Sequence, residues 1–134
     1  KGTDYTVTYA KGCKNVGTYK VTIKFKGNYS GTKKLTFEIV PAKVTLSKVT
    51  AGSKQATVAW KTVSGASGYE VQYSTSSKFK SAKTATVKKG STAKTTIKSL
   101  TKGKTYYFKV RAYKTVDGAK IYGAWSTVKN VKVK

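Results

Sequence analysis

The sequence has no histidine and no methionine, one cysteine and one proline. Without histidine there is no imidazole base for a catalytic triad and no imidazole metal ligand. A single cysteine, Cys13, forms neither an internal disulfide nor a CxxC centre. Acids are scarce: Asp4, Glu38, Glu70 and Asp117 are too few and too scattered for a calcium cage of several carboxylates. No run approaches the roughly 20 apolar residues that span a bilayer. No charged start followed by an apolar stretch marks a signal peptide. The chain opens at Lys1-Gly2 without a methionine, so it is expected to be an internal piece of a longer protein. Few enzyme chemistries survive these absences. The expectation is a non-enzyme without cofactor, metal site or membrane insertion.

What the chain does have is lysine. Of 134 residues, 28 are Lys or Arg against four acids, a net charge of +24. Arg111 is the only arginine. Hydrophobic residues make up 38%, a low share, yet the aromatic fraction is 12% with ten tyrosines. Disordered chains lack aromatics as well as aliphatics, so this mixture argues for order. It suits thin sheets, in which a few large residues fill the interior.

The periodicity is two almost throughout. Tyr5, Val7 and Tyr9 alternate with threonines. Tyr19, Val21, Ile23 and Phe25 alternate with Lys20, Thr22 and Lys24, and Leu35, Phe37 and Ile39 with Thr36 and Glu38. Such alternation marks half-buried strands, and no window carries the helical spacing. Pro41 follows the third run and cannot join a ladder, so the boundary is placed there: residues 1–41, then residues 42–134. The first part carries eight lysines and two acids, +6; the second carries twenty basic residues and two acids, +18.

Beyond Pro41, runs are read at Lys43–Val49, Gln55–Lys61, Gly68–Ser74, Thr84–Lys88, Ala93–Ile97, Thr105–Tyr113 and Val128–Val133. Seven short alternating strands in this length predict a β-sandwich. The inward set is Ala56, Val58 and Trp60, then Tyr69, Val71 and Tyr73, then Leu100, Tyr106, Phe108, Val110 and Ala112. Glu70, Gln72, Tyr107, Lys109, Arg111 and Tyr113 are expected to face outward.

Trp60 in Ala56-Thr-Val-Ala-Trp60, Tyr69 in Gly68-Tyr-Glu-Val-Gln-Tyr73, and Leu100 followed by Tyr106 carry a resemblance. Residues 42–134 resemble a fibronectin type III module, with Lys102-Gly103 where that family usually has Pro-Gly. Residues 1–41 resemble the C-terminal part of a bacterial Ig-like domain through Asp4-Tyr-Thr-Val-Thr-Tyr9, Asn15-Val-Gly-Thr18, Lys26-Gly-Asn-Tyr-Ser-Gly-Thr32 and Thr36-Phe-Glu-Ile39. The pairing is similar to tandem arrays on surface proteins of gut Firmicutes, which are Gram-positive. The resemblance implies an all-β chain: a three-strand antiparallel piece of an Ig-like domain, then a seven-stranded fibronectin type III β-sandwich. It also implies a secreted or cell-wall-attached, extracellular setting. Three strands with one apolar face do not make a stable domain alone. Tyr19, Val21, Ile23, Phe25 and Phe37 are therefore expected to be covered, by the second part, by self-association with another copy, or by a segment not in this sequence.

Five features are candidate sites. The lysine excess attracts polyanions such as an anionic glycan or cell-wall polymer, but Lys alternating with Thr also describes a solvated outer face. Specific nucleic-acid recognition is disfavoured with one arginine. Arg111 is expected to lie flat on Trp125, in Gly123-Ala-Trp125-Ser126, which resembles half of the Trp-Ser box of some fibronectin modules. Tyr113, Ile121, Tyr122 and Trp125 cluster around the turn Val116-Asp117-Gly118-Ala119; with Lys109 and Arg111 they form a candidate binding surface for a host protein (immunoglobulin or matrix) or glycan. Cys13 lies between lysines, which favour a thiolate, but no partner base is near in sequence. A Lys–Asn isopeptide staple would need a buried lysine, an asparagine and an assisting acid, but Asn15, Asn28 and Asn130 sit in turns or at a strand edge, and Glu38 and Glu70 alternate outward. The function expected is a spacer or stalk module, with an adhesin-type binding module or an accessory domain of a secreted polysaccharide hydrolase or protease as alternatives.

Overall fold

The computed structural model describes residues 4–134. Lys1-Gly2, where the chain opens, lies outside them. Contacts divide the chain into two compact units, Lys1–Val40 and Pro41–Lys134. Among the described residues every regular element is a strand.

The first unit is one antiparallel sheet in the order β1 (Tyr5–Tyr9), β2 (Gly17–Phe25), β3 (Thr32–Ile39). Its register pairs Tyr9 with Val21, Val21 with Leu35, and Tyr19 with Phe37. The alternating apolar residues of all three strands therefore share one face, where the Tyr19 and Phe37 rings lie 5.7 Å apart. That face is open: Tyr9 is 64% exposed, Leu35 45% and Phe25 37%.

The second unit is two packed sheets. One contains β4 (Leu46–Gly52), β5 (Gln55–Trp60) and β8 (Lys94–Ile97). The other runs β10 (Ala119–Tyr122), β9 (Thr105–Val116), β6 (Gly68–Ser74), β7 (Lys83–Val87), with β11 (Lys129–Lys132) also on β9. The core between them holds Val58, Trp60, Tyr69, Val71, Leu100, Phe108 and Val110. Tyr106 and Tyr73 only border it. Burying one such side chain contributes about 1.5–3 kcal/mol, so a thin layer of large residues suffices.

Two tyrosine hydroxyls tie loops to this core. Tyr69 accepts from the Val63 N–H and donates to the Gly90 carbonyl, both at 2.8 Å. Tyr106, entering β9, accepts from the Thr101 N–H at 3.2 Å, the arrangement of a tyrosine corner.

The seventh strand position is occupied by two short segments. β10 pairs with β9 at Tyr113–Val116 and β11 at Thr105–Phe108, along the same edge. Sequence reading took Ala119–Tyr122 as part of the connection, because four residues after a turn give too short a beat. The turn itself follows its chemistry: Asp117 and Gly118 have φ of 49° and 81°, as a two-residue hairpin requires.

Candidate functional site

Between β10 and β11 the chain leaves the ladder, and Ser126 fills the gap. Its backbone N–H donates to the Val110 carbonyl at 2.8 Å, while its hydroxyl accepts from the Val110 N–H at 2.9 Å. A side-chain oxygen thus stands where a strand carbonyl would be. The detour brings Trp125 over the outer face of β9.

Alternation along β9 sends Lys109 and Arg111 to that face. Their cationic heads interleave with rings. Lys109 Nζ lies 4.2 Å from the Phe79 ring centre and 4.8 Å from that of Trp125. The Arg111 guanidinium lies 4.4 Å from Trp125 and 3.7 Å from Tyr122. Lys120 Nζ lies 4.5 Å from the Tyr113 ring. Each such contact contributes about 0.5–2 kcal/mol, more when water is excluded.

Glu70 is the anion of the assembly. It was expected to point outward into solvent, yet it is only 7% exposed. The outer-face position is right and the exposure is wrong, because Arg111, Lys120 and Tyr122 close over it. Burial alone would raise the Glu70 pKa. Hydrogen bonds from Arg111 and Tyr122, with the charges of Arg111 and Lys120, outweigh burial and hold it below the ordinary 4.5. Tyr113, also expected outward, is 4% exposed. Its ring packs on Tyr122, centres 6.2 Å apart, so β10 covers it.

The structure thus brings together Lys109, Arg111, Tyr113, Tyr122 and Trp125. It adds Glu70, Lys120 and Phe79, which sequence reasoning missed. A lone aromatic in the Ser/Lys-rich stretch Ser76–Lys80 was the available signal for Phe79. Chemically the cluster is a set of satisfied pairs: each cation has a ring or carboxylate of this same chain.

The remaining candidates stay apart from it. Cys13 is a free, half-buried thiol. Asn15, Asn28 and Asn130 are all exposed, so none offers the buried site an isopeptide staple needs. Among the described residues no three His, Cys, Asp or Glu side chains gather where they could hold a metal ion. No helix there is long and apolar enough to cross a membrane.

The fold recurs in solved structures. A chicken CNTN1 segment of domains FN1–FN3 superposes with a TM-score of 0.62 at 16% identity, covering 98% of this chain and 56% of that one. A two-domain fibronectin type III segment of chicken tenascin gives 0.62 at 18%, covering 99% and 86%. An Fn3-like protein from Clostridium thermocellum gives 0.52 at 20%, covering 72% and 93%. The chain spans just over half of the CNTN1 segment, and at these identities the likeness is one of fold. No curated protein matches the chain. The family described as "Purple acid Phosphatase, N-terminal domain", a fibronectin type III-like domain, matches residues 41–133. By that match, which covers most of its length, the chain belongs to the purple acid phosphatase N-terminal domain family.

Proposed function

We propose that this chain is a non-catalytic spacer, a stalk segment of an extracellular surface or secreted protein of a Gram-positive bacterium. One observation carries the reading: the buried Glu70, Ser74 and Ser126 side chains of the second unit spend their polar atoms on this chain's own groups. Glu70 is taken by Arg111 and Tyr122, Ser126 by Val110, and Ser74 by the Lys80 carbonyl and the Ser76 N–H. Among the described residues the buried side-chain polar atom left without a partner is Trp60 Nε1, an indole donor. The Ig-like motifs of residues 4–39 support the bacterial setting. Because the rings of the outer face already meet cations of this chain, an adhesin surface there has less support. The test is a display experiment: a reporter domain is held on a Gram-positive wall by this chain, or by an unrelated sandwich pair of equal length. Equal antibody access to the reporter is expected. Access that depends on this chain specifically would overturn the spacer reading.

The family match favours a second reading, an accessory domain of a secreted hydrolase whose reacting groups lie outside these residues. A hydrolase domain in the same reading frame, with turnover that changes when residues 41–134 are removed, would support it over the spacer.

A further inference from the structure

Away from the outer-face ladder, the second unit has a cleft of about 250 Å³. It opens between the loop joining β6 to β7 and the connection joining β8 to β9. Lys80, Lys83 and Lys98 line it, together with Ser81, Ser99 and Tyr106. No carboxylate lines it. Three exposed lysines and no acid around one small space give it a positive potential that a bound anion would offset. Tyr106 on its wall is held chiefly by hydrogen bonds with Thr101, which against burial draw its hydroxyl below the ordinary 10.0, with smaller contributions from the charges of Lys83 and Lys104.

The hydroxyls complete the picture. Ser81 and Ser99 both hold left-handed backbone, φ 48° and 59°, a conformation uncommon for residues other than glycine. Neither side chain has a hydrogen-bond partner among the described residues, whereas the neighbouring Ser74 hydroxyl is fully engaged. The cleft therefore presents unspent hydroxyls as well as cations. Its wall is aromatic: Tyr73 and Tyr106, ring centres 6.5 Å apart, both line it. At about 250 Å³ the cleft lies just below the roughly 300 Å³ at which drug-sized pockets begin, which limits an occupant to something as small as one sugar unit.

We propose that this cleft binds an anionic saccharide. A phosphate or carboxylate sits among Lys80, Lys83 and Lys98, and the sugar ring lies against Tyr73 and Tyr106 with its hydroxyls toward Ser81 and Ser99. Lysine suits an anion whose geometry varies, since an ammonium is a point charge rather than a fork. The inference goes beyond the spacer reading and does not depend on it. The display experiment tests one and solution binding tests the other.

The experiment titrates the isotope-labelled full chain with glucose 6-phosphate, glucuronic acid, glucose and inorganic phosphate. Salt is kept at about 0.15 M, where the screening length is about 8 Å. Saturable amide shifts confined to the cleft are expected for either anionic sugar, whichever it is naming the anion. Weaker shifts are expected for phosphate, and none for glucose. The variant K80Q/K83Q/K98Q should lose about tenfold or more in affinity. The variant K43Q/K61Q/K89Q removes as much charge elsewhere and should keep affinity within about threefold. All six lysines are exposed, so both variants are expected to fold, checked by unchanged melting. Equal losses in the two variants, shifts scattered over lysines throughout the chain, phosphate binding as tightly as the sugars, or no saturable binding would each overturn the proposal.

Discussion

Arg111 directs two donors at a single oxygen of Glu70: Nε at 3.1 Å and Nη2 at 2.8 Å, both to Oε2. The other oxygen, Oε1, accepts from the Tyr122 hydroxyl at 3.1 Å and lies 3.5 Å from Lys120 Nζ. Glu70 and Arg111 are cross-strand partners between β6 and β9, so the pair pins the register from outside the core. A lysine at 111 could not donate twice while lying flat between two rings. Arg111→Lys is expected to destabilise the second unit by about 1–2 kcal/mol, and Arg111→Ala by about 2–3 kcal/mol. Both tryptophans, Trp60 and Trp125, belong to this unit, so denaturation followed by their fluorescence reads it alone.

The same carboxylate gives stability a pH dependence. The folded Glu70 pKa lies below 4.5, so the unfolded chain takes up the proton first as pH falls. The stabilisation is complete above 4.5 and is lost as pH drops through the folded pKa. Melting of the native chain and of Glu70→Gln, compared from pH 7 to pH 2.5, should differ most at neutral pH and converge in acid. A difference that widens in acid would contradict the sign.

Ser126→Ala removes the oxygen that satisfies the N–H of Val110, a fully buried residue of β9. An orphaned buried donor costs about 1–3 kcal/mol. The exposed Ser53→Ala should change stability by less than about 0.5 kcal/mol. Urea midpoints of the two variants check the contrast.

Tyr69→Phe keeps the ring on Trp60, whose centre is 5.2 Å away, and removes only the hydroxyl. The Val63 N–H and the Gly90 carbonyl then lose their partner together. A loss of about 2 kcal/mol is expected. Faster hydrogen exchange at Val63, with the core amides of β9 still protected, would locate the effect in the loop.

The open face of the first unit should bind an environment-sensitive dye such as ANS, as exposed apolar surface does. Leu35→Lys places a charge on its β3 side, opposite Val21, and should lower dye fluorescence while leaving the tryptophan-detected transition of the second unit unchanged. Equal dye binding by the variant would show that the dye sits elsewhere.

Legibility in the sequence followed the range of the interactions. The two-residue beat exposed the strands and the inner layer, since Val58, Trp60, Tyr69, Val71, Phe108 and Val110 each sit on one parity of their strand. Arg111 could be paired with Trp125 because one guanidinium among lysines needs a reason, and a nearby indole supplies it. What the beat could not carry was covering from outside the strand. Glu70 and Tyr113 have outer-face parity, and only the return of β10 along β9 buries them. Lys120 joins the cluster from the four-residue β10, too short to show a beat, and Phe79 from the loop between β6 and β7, which has none. The cleft lysines were hidden for a related reason, because among 27 lysines three that converge look like all the rest.

The interrupted last strand has one more effect. An unbroken edge would offer neighbouring copies a row of free amides and carbonyls to extend, the route by which crowded β-proteins clump. Here the outer strand is split into β10 and β11, the middle of β9 answers to Ser126 from within the chain, and β11 carries lysine at 129 and 132. A border interrupted in this way is a poor template for a strand from another copy.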